Sequence, residues 1–247
     1  MAFMFTEGWD SYTETVDLIN RYDEVESPWS WQATAGVVGG PCAQCDNSAG
    51  SGSPELRSSV LAFLPHIAAI NFGFWFKLSA LPVASAAIFE LLGDTLGSGV
   101  WRVHIQSDGR LFTIDNASIA NVGNSPIIPG EWYWLEVNQN GNGYLNNKLE
   151  WIVAQPASTN LFGGFKFTAP PATILTVDDI IVYNNTAPYP VDSDLPIGPL
   201  IITTTRPLTD AVSDFIPSTG VDNAALVGGI KVDYDNYVES DVANEGD

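Results

Sequence analysis

The sequence predicts an all-β protein, an antiparallel β-sandwich, on three observations. From Leu56 onward, short segments rich in β-branched and aromatic residues recur between clusters of Gly, Pro, Asn and Asp. Several of these segments alternate in character with a period of two, as a strand with two different faces requires. No helical stretch lies between them to carry a crossover, which excludes a parallel α/β arrangement. Composition agrees: 22 Gly and 16 Pro stand against only 15% charged residues, which suits turns and strands better than a helical bundle. With 247 residues, 45% of them hydrophobic, the chain has ample material for a sizeable core.

Strands are expected at Ser58–Leu64, Ala68–Leu78, Ala86–Leu92, Trp101–Gln106, Leu111–Asp115, Trp132–Asn138, Gly143–Asn146, Phe162–Thr168 and Thr176–Tyr183. Within the second, Phe72, Phe74 and Phe76 share one face while Gly73, Trp75 and Lys77 take the other. Trp101, Val103 and Ile105 alternate with Arg102 and His104, which makes His104 an ordinary surface histidine. Ser107-Asp108-Gly109-Arg110 and Asn140-Gly141-Asn142-Gly143 read as hairpin turns, because Asp-Gly and Asn-Gly accept the positive φ of a tight turn.

Three regions are expected. Residues 1–32 form an N-terminal segment packing on or leading into the sandwich, with Thr13–Glu26 a short helix or irregular arm. Residues 33–185 form the sandwich. Residues 186–247 form a Pro-rich linker and an acidic C-terminal arm, with 11 acidic and 2 basic residues. In that arm Phe215, Ile216, Leu226, Val227, Tyr234 and Tyr237 are anchors for docking on the sandwich or a partner.

Nine Lys+Arg against 29 Asp+Glu give a net charge of -20, which argues against nucleic-acid and anionic-membrane binding. The start, MAFMFTEGWD, has neither a basic n-region nor an apolar h-region, so synthesis as a soluble chain without a Sec-type address is expected. Cys42 and Cys45 form a C-x-x-C pair whose Gly, Pro, Ser and Asn flanks place it in a loop. Free thiols or a short-loop disulfide are expected there, not redox catalysis or zinc.

No catalytic constellation emerges. Asp23-Glu24-Val25-Glu26 precedes the sandwich; Glu131 and Glu136 fall on opposite faces; Asp178 and Asp179 are neighbours on opposite sides of a strand. One of the last two is expected to bond a turn or neighbouring edge, the other to be solvated. Asp94 and Asp108 lie in loops that suit calcium. Asn138-x-Asn140-x-Asn142-Gly143 mimics a calcium-loop spacing but lacks acids, with Leu149 where a bidentate Glu should stand. No cofactor or metal is expected.

The succession INFGFWFKLS, AIFELLGD, WRVHIQSDGRLFTI, EWYWLEVNQNGNGYLNNKLEW and LTVDDIIVYNN resembles the laminin-G or concanavalin A-like jelly roll, over roughly residues 5–183. The ends carry a narrower likeness. EGWDSYTE resembles the Phe-Asp-x-Tyr opening of a family of tailed-bacteriophage virion proteins, with Trp9 in place of Phe. The stretch from IGPLIITTTRP through DFIPSTGVDNAALV to VDYDNY resembles that family's C-terminal segment, with Gly228-Gly229 where acids are common.

The resemblance implies a non-enzymatic structural protein of the virion exterior, either capsid cement (decoration) or minor tail protein. Its expected partners are major capsid or tail proteins, with self-association, a trimer suiting a threefold cement site. The alternative is a lectin-like adhesin binding host-surface glycans, with Trp29, Trp31 and Trp101 as stacking candidates, each equally suited to core or inter-sheet packing.

Overall fold

A computed structural model describes residues 2–9, 12–58, 70–93, 99–114, 120–138, 141–153, 162–184, 199, 215–217 and 238–240. In chain order its elements are β1 (Ala2–Glu7), α1 (Thr15–Arg21), β2 (Glu24–Val25), β3 (Trp29–Gln32), β4 (Cys42–Asp46) and β5 (Glu55–Ser58). Next come β6 (Ile70–Leu78), β7 (Ala86–Gly93), β8 (Gly99–Ile105), β9 (Arg110–Ile114), β10 (Ala120–Pro126) and β11 (Tyr133–Val137). The last are β12 (Gly143–Leu145), β13 (Lys148–Trp151), β14 (Phe162–Thr168), β15 (Ile174–Asn184), β16 (Phe215–Pro217) and β17 (Val238–Ser240).

Two antiparallel sheets face each other. The front sheet runs β13-β12-β11-β6-β15-β4-β3, with β1 also paired to β15; the back sheet runs β10-β9-β8-β7-β14-β5-β2. Among the places where the chain steps between sheets are β2–β3, β4–β5, β6–β7 and β14–β15, and each of these four pairs occupies the same place in the two orders. This wrapping is the jelly-roll build that the aromatic strand succession implies. A separate antiparallel pair, β16 with β17, sets Phe215 opposite Ser240 and Ile216 opposite Glu239.

Pleating explains the core. Phe72, Phe74, Phe76 and Leu78 of β6 point inward, as do Phe165 and Phe167 of β14, and all are essentially sealed. Phe74 meets Phe89 and Phe167 with ring centroids 4.9 Å apart in each case, and Phe72 meets Phe165 at 5.5 Å. Tilted and edge-on pairs of this kind add about 0.5–1.5 kcal/mol each beyond area burial.

The N-terminal residues are built into the sandwich. Strand β1 pairs with the far half of β15, from Ala2 opposite Asn184 to Glu7 opposite Ile180, while β3 and β2 extend the front and back sheets. In α1, Asp17 accepts hydrogen bonds from the Thr13 and Glu14 N–H groups, and Leu18 is buried. Tyr22 then meets Phe165 edge-on at 6.3 Å.

Strand β15 holds β6 along one flank and shares the other between β4 and β1. The division falls at Asp178 and Asp179, where the register against β6 shifts and Asp179 adopts φ 47°. This is a β-bulge. The solvated aspartate expected here is not found: both residues are 3% exposed, and Asp178 accepts from the N–H groups of Val37 at 2.8 Å and Asp179 at 2.9 Å. The extra residue in the bulge turns the Asp178 carboxyl toward these backbone donors.

The cysteine pair also departs from expectation. Cys42 and Cys45 lie in β4, paired with β15 and β3, not in a loop. Three residues apart in a strand they point to opposite faces, which rules out a disulfide between them; both are free and buried. Burial pushes both thiols up to about 12, so they are inert packing groups.

Candidate functional site

The tryptophans singled out for stacking on sugar rings prove to be packing residues. Trp29 and Trp101 are buried, and Trp31 is half-buried against the core. The Trp29 indole donates to the Pro54 carbonyl at 3.1 Å, and the Trp31 indole to that of Trp9. Trp101 lies so close to Gly141 that a Cβ there would sit 2.3 Å from its ring. The alternation that makes these strands sends the Trp29 and Trp101 rings inward, while Trp31 rests half-buried against the core.

The asparagine loop is likewise occupied. The Asn138 side-chain oxygen accepts from Asn142 N–H at 3.0 Å, and the Asn142 oxygen from Val153 N–H at 2.9 Å. Asp108 is engaged by Arg110 through its backbone, Nε and Nη2. Among the described residues, no group of three or more His, Cys, Asp and Glu is placed to hold a metal ion. Asp94, Asn140, Leu226, Val227, Tyr234 and Tyr237 lie outside the described residues; Phe215 and Ile216 lie in β16.

The two outer faces of the sandwich carry the remaining chemistry. On the front sheet, Trp134 stands opposite Trp75 across the β11–β6 pair, and the rings meet edge-on at 5.7 Å. Glu136, two residues along, accepts from the Trp134 indole at 3.1 Å and from the Tyr183 hydroxyl. Trp134, Glu136, Ile181 and Tyr183 are all at most 2% exposed. The carboxylate is thus fixed by two donors within a sealed aromatic cluster.

On the back sheet, non-local pairing aligns one residue from each of five strands: Glu24 opposite Arg57, Arg57 opposite Lys166, Lys166 opposite Glu90, and Glu90 opposite Arg102. Cross-strand neighbours of opposite charge attract, and the side chains connect accordingly. Lys166 Nζ lies 2.8 Å from Glu55 Oε1 and 3.0 Å from Glu90 Oε2; Arg102 Nε lies 2.8 Å from Glu90 Oε1. Burial works against the Lys166 charge, but the hydrogen bonds it donates to Glu55 and Glu90 overcome this and raise its pKa.

These groups floor a groove of about 570 Å3. Its lining includes Glu55, Glu90, Arg102, His104, Lys166 and Thr168, with Pro82, Val83, Ala84 and Pro171 among its apolar members. His104 is not an ordinary surface residue: it is half-buried and stacked on Phe112, centroids 4.9 Å apart. Burial, then the Arg102 charge, lower its pKa against a smaller opposing pull from Glu90, so the ring is neutral at pH 7.

A scan against protein-family models finds no match, and neither does a search of curated proteins. Solved structures match part of the chain. The binding domain of botulinum neurotoxin DC in complex with SialylT is 15% identical, with a TM-score of 0.48 over 65% of this chain and 42% of that one. Alginate lyase AlgAT5 of polysaccharide lyase family 7 is 12% identical, TM-score 0.45, over 66% and 85%. Trypanosoma rangeli sialidase is 11% identical, TM-score 0.44, over 63% and 27%. The chain spans less than half of the toxin and sialidase chains. Similarity this distant transfers no ligand or activity.

Proposed function

We propose that this protein is a non-enzymatic structural component of the exterior of a tailed-bacteriophage particle, a capsid cement or minor tail protein acting through protein–protein contacts. The order of segments at both chain ends carries this reading: the Glu7-Gly8-Trp9-Asp10-Ser11-Tyr12 opening and the C-terminal run around Phe215-Ile216-Pro217 flank one sandwich. The net charge of -20 keeps such a chain soluble before assembly and suits a basic surface on a shell or tube protein. In keeping with a non-enzymatic role, the buried carboxylates of Glu136 and Asp178 already accept hydrogen bonds from within the chain. Self-association follows from the symmetry of an attachment site, a trimer for a threefold one.

Immunogold labelling of purified phage particles with antibody to this chain, alongside mass spectrometry of the same particles, tests the proposal. Label on the particle exterior is expected. Absence of the chain from purified particles, in a host producing it during infection, would overturn the reading.

A further inference from the structure

The groove on the back sheet has hydrogen-bonding capacity that the fold leaves unused. Among the described residues Arg102 is held only through Nε, by Glu90; its two Nη atoms have no partner there, and its side chain is 56% exposed. Neither ring nitrogen of His104 has a hydrogen-bond partner among the described residues, although the imidazole is fixed by its stack on Phe112. Thr168 lines the groove beside them. Lys166 and Glu90 are locked together, so they hold the Arg102 guanidinium in place instead of leaving it to wander.

The charge balance of the groove selects the kind of ligand. Two cations, Arg102 and Lys166, face two carboxylates, Glu55 and Glu90, and His104 is neutral. The floor is therefore electroneutral, within a chain of net charge -20 that repels anions from a distance. A free cation finds no group of three or more metal-binding side chains among the described residues, and Lys166 already occupies the space between Glu55 and Glu90. A group that both donates and accepts, without charge, matches this floor: guanidinium N–H groups donate, carboxylate oxygens accept, and imidazole and hydroxyl do both. Vicinal hydroxyls of a sugar have that character.

The walls complete the match. Pro82, Val83, Ala84 and Pro171 offer apolar surface to the C–H face of a pyranose ring, and Val83 is 92% exposed, with no packing role to protect. A volume of about 570 Å3 falls within the about 300–1,000 Å3 typical of ligand sites. We infer that this groove, floored by Arg102, His104 and Thr168, binds the hydroxyls of a neutral saccharide. The inference does not depend on the virion role.

Isothermal titration of the full chain against cellohexaose, laminarihexaose, maltohexaose and the hexamer of N-acetylglucosamine tests it, with hexagalacturonate as the charged counterpart. Saturable binding of at least one neutral hexasaccharide is expected, with Arg102→Gln weakening it about ten-fold through loss of a charge-assisted hydrogen bond. The imidazole NMR signals of His104 should shift on saturation. Val83→Glu changes only an exposed wall residue, leaves folding intact, and should weaken binding comparably. Failure of all four neutral sugars to bind, tighter binding of hexagalacturonate, or binding indifferent to both substitutions would each overturn the inference.

Discussion

The two outer faces of this sandwich use similar side chains toward opposite ends. On the front sheet a glutamate, two tryptophans and a tyrosine close over one another until Glu136 is 1% exposed. On the back sheet Glu90 is almost as deeply set, at 4%, yet its partner Arg102 stands half in solvent with donors to spare. What separates them is the neighbour each carboxylate received. Aromatic donors carry large apolar bodies that bury the site, whereas long cationic side chains pack their stems and leave their heads at the surface. The first face contributes to stability; the second remains available for binding.

The contrast breaks most visibly at Trp134. Trp134→Ala should cost about 4 kcal/mol, because it empties a sealed site and frees the Glu136 carboxylate from one donor; urea unfolding measures it. Next is Gly73, where a Cβ would lie 2.4 Å from the Trp134 ring and 3.0 Å from Ile181. Gly73→Ala should therefore destabilise by about 2 kcal/mol in the same assay.

At the seam between the faces, Glu150 of β13 accepts from the N–H groups of Asn124 and Ser125 in β10 at 2.6 and 2.7 Å. Burial opposes its ionisation, but the bonds from Ser125 and Asn124 prevail and hold its pKa below the ordinary 4.5. A depressed acid contributes stability above its unfolded pKa and loses it as pH falls through the folded value. Glu150→Gln should accordingly cost about 1 kcal/mol near neutrality, with the difference from wild type vanishing in melts well below pH 4.5. The smallest effect belongs to the back sheet: Arg102→Gln should change stability by under about 1 kcal/mol, since the pair is half-exposed and Lys166 still neutralises Glu90. A larger loss would mean that the groove is a structural feature like its counterpart.

Strands β6, β7, β9, β11, β14 and β15 were legible because each alternates strongly or stands between clear turns; Gly109, at φ 85°, closes the Asp-Gly turn as its sequence requires. Strands β3, β4, β10 and β13 were not. Their residues, such as CAQCD and ANVGNSP, carry weak alternation between Gly, Pro and Asn, and they are strands because a neighbour with a strong pattern accepts them. For the same reason the tryptophans of β3 left stacking and packing roles equally open. The groove was hidden more deeply, since Lys166, Glu90 and Arg102 come together only through pairing across β14, β7 and β8. One local signal existed: each is a lone charge inside an apolar or aromatic run, FKF, FEL and WRV, which marks an outward position on a strand whose other face is core.

Strand β15 ties together β6, β4 and β1, and it is made long after all three. A ribosome must translate through Ile174–Asn184 before the front layer can close, so the nascent polypeptide carries unpaired flanks on β4 and β6 from their own synthesis until that of β15. Truncation ahead of Ile174 would then yield not a smaller domain but an aggregating fragment, and the pace of translation through that stretch becomes part of how the protein reaches its native form.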